Sequence, residues 1–328
     1  MTQAGSEAEV KQRVRQFYDR VGWQTVADGN YQNARYEDLR PVSRDYIHRC
    51  HLRVRRFLKP RGRYLLDAGS GPVQYAEYLT YSEGYQYRVC VDISIVALQE
   101  ARRRISALKS SDHGLFVVAD VANLPFKSEP FDGVVSLHTL HHLPLNEQPR
   151  AYDELYRVLR PGSTAVVVNG WTHSTLMRRL NFLVQGMERL GALVARLRGR
   201  KPQEPAVSAS TGQASSLVGA GSPRPVDGKA AVDMGGGNSP AAPRQGNPAP
   251  TGTFIRKLDS AWLSEQIGGK MHYEIYPWRS VSVRFLRAVI HDVTAGRLWL
   301  RLLFALEERF PRFFGEKGQY PMIVIRKK

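Results

Sequence analysis

The chain has 328 residues, 42% of them hydrophobic, enough for one large core with appendages. Two cysteines, Cys50 and Cys90, exclude a disulfide framework and show no metal-ligand spacing, which fits a reducing compartment. The formal charge of +17 is uneven: residues 1–63 carry +7, 64–170 carry −3, 171–200 carry +5 and 251–328 carry +7. A slightly acidic centre between basic flanks suits an anionic small molecule, anionic lipid or nucleic acid, and equally a plain solvated surface. The opening MTQAGSEAEVKQR has no apolar leader, and no run of about 18 apolar residues occurs, so neither a signal peptide nor a spanning helix is expected. The expected location is cytoplasmic, with peripheral membrane contact as its extension.

In chain order, Val10, Val14, Phe17, Tyr18 and Val21 share one side of a helix over residues 7–21, ended by Gly22. Residues 28–40 are polar and loop-like. A second helix is expected from about Pro41 to Leu58, opened by Pro41 and stopped by Pro60 and Gly62. Strands and helices then alternate. Strands are expected at Tyr64–Asp67, Tyr87–Asp92, Leu115–Asp120, Phe131–His138 and Thr164–Asn169. Helices are expected at about Val73–Tyr81, Ser94–Leu108 (with Ser94 as N-cap) and Asn146–Leu159, the last stopped by Pro161-Gly162. Apolar strands with little alternation argue for a parallel sheet covered on both faces. Residues 173–199 form a basic amphipathic stretch. Residues 201–252, rich in Pro, Gly, Ala and Ser, read as a disordered insertion. MHYEIY (271–276) and MIVIR (322–326) read as two last strands around a mostly helical segment, 281–314.

The stretch YLLDAGSGPVQYAEY (64–78) reads as buried strand, tight turn and helix start, with turn N–H groups available to a polar ligand. A dinucleotide fingerprint needs a third glycine, and Gln74 stands where it would fall. Asp67, Asp92 and Asp120 each close a strand. Singly they read as a turn cap, an N-cap acid and a surface loop acid. Together they point to one ligand at the carboxyl ends of the sheet.

DAGSG, the two later acids, FDGVVSLHTLHHLP and ELYRVLRPGSTAVVV together resemble class I S-adenosylmethionine-dependent methyltransferases. The similarity is greatest to the branch containing the ubiquinone-biosynthesis methyltransferases. It covers about 63–170 well, the last strand loosely, and says little of 1–60 and 171–315. It implies a Rossmann-like doubly wound α/β sheet, mostly parallel with an antiparallel last strand, and S-adenosyl-L-methionine as cofactor. By the same resemblance Asp67, Ala68, Gly69, Ser70 and Gly71 form the cofactor turn. Asp92 with Ile93 would hold the ribose, Asp120 with Val121 the adenine, and His138 would touch cofactor or acceptor. The family's third glycine is Val73 here, preceded by Pro72, which removes one turn donor and stiffens the loop.

His138, His141 and His142 follow the fourth strand, where acceptor-side residues fall. His138 and His141 are the candidate bases, with packing or capping as the plainer role. They have no acidic or cysteine partner spaced for a metal, and none is expected. Tyr18 is a candidate lid residue over the cofactor, or else a helix core residue. Trp171 is a candidate for the acceptor pocket, with ordinary packing the alternative. The cluster His48, Cys50 and His51 reads as structural.

The expected division is a helical lid (1–62), a cofactor core (63–172), a basic amphipathic helix (173–200), the insertion (201–252), and a C-terminal part with a helical cap (253–328). The favoured acceptor is a small or lipid-like molecule, with the basic amphipathic segments touching a membrane. RNA is the second reading, because some tRNA-wobble methyltransferases have a similar HHL stretch and insertion. A cofactor-binding protein without catalysis is the third.

Overall fold

The computed structural model describes residues 7–23, 37–108, 113–197 and 254–328. The expected insertion at 201–252 and most of the polar segment 28–40 lie outside these residues. Helix α1 (Glu7–Phe17) widens into a π-turn at Tyr18–Gly22. Helix α2 (Pro41–Leu52) starts on Pro41 and passes into a 3₁₀ turn at Arg53–Phe57, so the helix expected to Leu58 is α only to Leu52. The core follows as β1 (Gly62–Ala68), α3 (Ala76–Leu79), β2 (Tyr85–Asp92), α4 (Ile95–Leu108), β3 (Gly114–Val118), β4 (Phe131–Leu137), α5 (Gln148–Val158) and β5 (Leu159–Val168). Then come α6 (Thr175–Leu197), α7 (Ser260–Ile267), β6 (His272–Arg279), α8 (Val283–Val289), α9 (Gly296–Arg309), α10 (Pro311–Lys317) and β7 (Tyr320–Arg326).

The strands form one seven-stranded sheet in the order β3-β2-β1-β4-β5-β7-β6. β1, β2, β3, β4 and β5 pair in parallel, and β7 runs antiparallel between β5 and β6. This is the mostly parallel doubly wound sheet that the sequence predicts. The apolar runs hide a period of two. Leu66, Ala165 and Val167 face the layer of α5 and α7, whereas Leu65, Val166 and Val168 face the layer of α3, α4 and the Arg53–Phe57 turn. Both faces are buried, so neither alternate set is polar.

One expected cap holds, and two boundaries move for local reasons. Ser94 caps α4, its Oγ accepting from Ala97 N–H at 3.1 Å. The helix expected from Val73 begins only at Ala76, because Val73 adopts φ 53°. Pro161-Gly162 does not precede a strand but lies inside β5, where the register with β4 shifts and Gly162 takes φ 70°. α7 was not expected. Asp259 caps it, accepting from Trp262 N–H at 2.8 Å.

A third cluster lies off the sheet. Tyr46, Ile47 and Cys50 of α2 pack with Val184 of α6, Phe285 and Leu286 of α8, and Leu300 and Phe304 of α9. Arg53 ties this cap to the sheet. It donates to Glu307 at 2.8 Å, Glu308 at 2.8 Å and the Trp278 carbonyl at 3.0 Å. Glu307, wholly buried, also accepts from Tyr46 Oη at 2.7 Å and Ser280 N–H at 2.9 Å. Removing one partner of a buried pair strands the other charge. Arg53→Ala is therefore expected to lower unfolding stability by about 3–5 kcal/mol, and the exposed Arg56→Ala by less than about 1 kcal/mol. Denaturant titration of both variants checks this; equal midpoints would overturn it.

Candidate functional site

β1 ends in a turn of unusual backbone. Gly69, Gly71 and Val73 take φ 74°, 52° and 53°. Gly69 and Ser70 N–H both donate to the Val91 carbonyl, at 2.7 and 3.0 Å, and Gly71 N–H donates to Asp92 Oδ2 at 2.9 Å. Val73 N–H donates to the Ser70 carbonyl at 3.2 Å, closing a β-turn through Gly71 and Pro72. A β-branched residue at positive φ costs about 1–3 kcal/mol. The Val73 side chain, wholly buried, offsets this by packing among Leu65, Tyr78 and Leu98. The glycines leave room that nothing larger could occupy. A Cβ on Gly69 would lie 2.1 Å from Thr139 Cγ2, and one on Gly71 2.9 Å from the Trp23 ring. Thr139 Oγ1 also donates to the Gly69 carbonyl at 3.1 Å, fixing the turn against the end of β4.

The three strand-end acids have three environments. Asp92 is buried, with Oδ2 on Gly71 N–H and Oδ1 on Ser94 N–H at 2.9 Å. Burial lifts its pKa to about 6, the two N–H bonds opposing and the charges of Asp67 and Asp19 adding. A carboxylate offers about four acceptor sites, so two remain for ligand hydroxyls. Asp67 is spent differently. Arg88 grips its Oδ2 through Nε at 3.1 Å and through Nη2, while Arg88 Nη1 donates to the Tyr78 carbonyl at 2.6 Å. Asp67 thus sits in a buried ion pair beneath the turn. Asp120 accepts from Ala122 N–H at 2.9 Å and meets Lys11 Nζ at 2.5 Å. Ala68 is buried, its carbonyl accepting from Ser136 Oγ at 2.9 Å. Ile93 is half-buried beside Asp92, and Val121 is a core residue.

The α1 segment lies over these acids. Besides Asp120, Lys11 pairs with Glu147 at 2.6 Å. Ser94 Oγ donates to Asp19 Oδ1 at 2.6 Å, and Tyr18 stacks on Trp23 with centroids 5.1 Å apart. Tyr18 Oη lies 2.8 Å from His142 Nε2. His142 Nδ1 faces the Phe254 carbonyl at 2.7 Å, so Nδ1 carries the proton and Nε2 accepts from Tyr18. Tyr18, expected as a lid residue, is thus tied to the segment after β4.

The histidines are neutral. Burial first, and then the charges of Arg279 and neighbouring basic groups, press His138 down to about 3. Burial holds His142 at about 4 and His141 well below the usual imidazole range. His141 Nδ1 faces Asn169 Oδ1 at 3.3 Å. Among the described residues none hydrogen-bonds the His138 ring, which meets Trp278 at 4.7 Å and Tyr320 at 5.8 Å between centroids. An imidazole this acidic is a poor proton store. What such a ring offers at neutral pH is an unprotonated hydrogen-bond acceptor.

Sequence reasoning missed the wall beside His138. Trp278 and Arg279 end β6 just past the expected strand MHYEIY, and Tyr320 opens β7. His51, expected to be structural, is buried and stacks on Trp278 at 5.2 Å. Buried Arg279 pairs with Glu37 and lies 4.6 Å over the Tyr320 ring. Lys257, whose ammonium is lowered by burial, lies along Gly170 with Cε 3.3 Å from where a Cβ would stand. The adjacency of Trp278 to a strand end was the available signal. Trp171 does not join this wall. It is buried in the main core, its Nε1 donating to the Gly315 carbonyl at 2.9 Å. Among the described residues no group of three His, Cys, Asp or Glu is placed to hold a metal ion.

A cradle without Cβ atoms, a buried carboxylate with free acceptor sites and a second acid at the next strand end fit a nucleoside carrying an amino-acid tail. That defines a class of doubly wound nucleoside-binding folds. Residues 66–167 match the family model described as "Methyltransferase domain". The segment is accordingly a class I methyltransferase domain, of the S-adenosylmethionine-dependent type.

Two relatives each match over about two fifths of the chain. A tRNA (carboxymethyluridine(34)-5-O)-methyltransferase of Arabidopsis thaliana is 31% identical, covering 38% of this chain and 33% of that protein. The ubiquinone/menaquinone biosynthesis C-methyltransferase UbiE of Paracoccus denitrificans is 30% identical, covering 41% of this chain and 54% of that protein. The chain thus spans between a third and about half of these relatives' lengths. The solved phosphoethanolamine N-methyltransferase 1 of Haemonchus contortus shares the fold at a TM-score of 0.51 and 9% identity, covering 100% of this chain and 50% of that one.

Asp92 sets a pH dependence. Its raised pKa means that the carboxylate is present above about 6 and lost below it. S-adenosylhomocysteine binding is expected to weaken about tenfold between pH 7.5 and pH 5.0. Asp92→Asn should bind about 10- to 100-fold more weakly at pH 7.5 and show no such slope. Calorimetry at both pH values decides it; an unchanged wild-type affinity at pH 5.0 would count against the assignment.

Proposed function

We propose that the protein is an S-adenosylmethionine-dependent methyltransferase acting on a small or lipid-like molecule. S-adenosylmethionine supplies an electrophilic methyl on a sulfonium, which passes to the acceptor nucleophile with S-adenosylhomocysteine as leaving group. The chain's contribution is alignment and exclusion of water. The Gly69–Val73 turn and Asp92 would hold the cofactor, with Asp120 on its base side. The Tyr18–His142 latch closes the α1 segment over it. His138, unprotonated at neutral pH, would accept a hydrogen bond from the acceptor and orient it. Its low pKa argues against a stored proton and favours an acceptor that is already nucleophilic or loses its proton elsewhere.

The observation that carries the acceptor class is the aromatic wall. Next to His138 stand Trp278 and Tyr320, backed by His51; buried Arg279 there is already paired with Glu37, and the second cation near the histidines, Lys257, has its charged form disfavoured by burial. Such a wall packs a planar or apolar molecule and offers no run of free cations to a phosphate backbone. RNA remains the second reading, motivated by unpaired arginines on the outer helices and by the tRNA methyltransferase among the relatives.

A transfer assay with methyl-labelled S-adenosylmethionine separates them. Supplied with quinone-rich lipid extract and with bulk tRNA in parallel, the enzyme should label the organic phase. Label recovered only in tRNA would overturn the acceptor class. Failure to bind S-adenosylhomocysteine would overturn the methyltransferase reading itself. With an acceptor in hand, His138→Ala should lower kcat about 10- to 100-fold, and the wild-type pH profile should show no imidazole break between about pH 5.5 and 8.

A further inference from the structure

α6 is 23 residues long yet only its first half is well seated. Met177, Leu180 and Val184 pack into the cap. Phe182, Leu183, Leu190, Leu193, Val194 and Leu197 are 37–79% exposed. α9 repeats the arrangement. Leu300 and Phe304 are buried in the same cap, whereas Leu298, Trp299, Leu302 and Leu306 are exposed, Trp299 by 58%. Phe310 and Phe313 continue this face into α10 at 50% and 52% exposure. Scattered apolar residues need no explanation, but two helices that share one buried cluster and both carry apolar outer faces do.

Charge pairing tells what covers them. The acids of both helices are consumed internally. Glu188 pairs with Arg284, and Glu307 and Glu308 with Arg53 and Arg56. The arginines are not. Arg178, Arg179, Arg189 and Arg196 on α6, and Arg301 and Arg309 on α9, have no carboxylate partner among the described residues. Arg178 and Arg189 stand one turn before Phe182 and Leu193, so the guanidinium groups border the apolar face. A leucine-and-aromatic face edged by unpaired arginine is the pattern of a helix lying in a membrane interface, its cations at headgroup level.

A second copy of the chain is the rival occupant. Residues 176, 180, 183, 187, 190, 194 and 197 follow a heptad, with leucine at 176, 183, 190 and 197. The flanking positions 177, 179, 184, 186, 191 and 193 carry only one charge, Arg179, and no acid to pair with it. Two copies would bring unpaired arginines together, and the α9 face would stay bare. Phosphate-only contact with RNA would leave the leucines uncovered.

We propose that the outer faces of α6 and α9 together form a docking surface for an anionic phospholipid bilayer. The protein would lie on the surface, since among the described residues no helix is long and apolar enough to cross a membrane. This goes beyond the methyl-transfer reading and stands or falls without it.

Co-sedimentation of the full chain with vesicles tests it. Vesicles of phosphatidylcholine with about a third phosphatidylglycerol should bind at least about tenfold more tightly than phosphatidylcholine alone, and the difference should shrink in high salt. Leu190→Glu with Trp299→Glu should abolish binding. Each of Arg178→Ser and Arg189→Ser should weaken it about fivefold. S-adenosylhomocysteine calorimetry and circular dichroism on the same variants establish that the fold and cofactor site are intact. A folded protein that ignores both vesicle types would overturn the proposal. So would equal binding to both, tRNA binding without vesicle binding, or a dimer in sedimentation velocity that Leu190→Glu dissociates while vesicles are ignored.

Discussion

The site depends on how the end of β1 is tied to the end of β2. Three successive turn N–H groups, from Gly69, Ser70 and Gly71, reach across to the Val91 carbonyl and the Asp92 carboxylate. The reach requires left-handed backbone, which two glycines supply freely and Val73 accepts only because its side chain is buried. Asp92 is oriented by the same bonds. Its burial makes it expensive to ionise, and its two N–H donors bring ionisation back within the physiological range. One set of contacts therefore shapes the cradle and tunes the acid beside it.

The same economy explains why Asp67 and Asp92 differ, although both close a buried strand. Arg88 stands in β2 with its guanidinium under the turn, and neutralises Asp67 from within the sheet. Among the described residues no cation pairs with Asp92, whose charged neighbours are Asp67 and Asp19. Position in the strand pattern made both acids visible. Only the cross-strand neighbour decides which one is neutralised by an arginine and which keeps its remaining acceptor sites unpaired by a cation.

This bears on what was legible in the sequence. The parallel sheet, its covered faces and the acids at 92 and 120 could be read because each follows from local pattern: apolar runs, turn residues and strand ends. The positive φ of Val73 could not, since β-branched residues seldom adopt it and nothing local requires it. The acceptor wall was hidden for another reason. Trp278, Arg279 and Tyr320 reach His138 only because β6 and β7 add to the sheet edge after a long excursion, and Arg279 meets Glu37 across 242 residues. The strand expected at 271–276 runs on through Pro277, where its register with β7 shifts. Contacts closed over such distances leave no spacing to read.

Net charge was the least transferable of the sequence signals. A formal +17 suggests a polyanion partner, yet the arginines divide into two populations that composition cannot separate. Arg53, Arg88 and Arg279 are buried and paired, and act as struts of the fold. Arg178, Arg179, Arg189, Arg196, Arg301 and Arg309 are exposed beside exposed leucines and a tryptophan, and among the described residues none of them has a carboxylate partner. Coulombic attraction alone would draw either RNA or lipid to such a surface. The apolar residues between the arginines break the tie, because only a bilayer interface lowers the free energy of both at once.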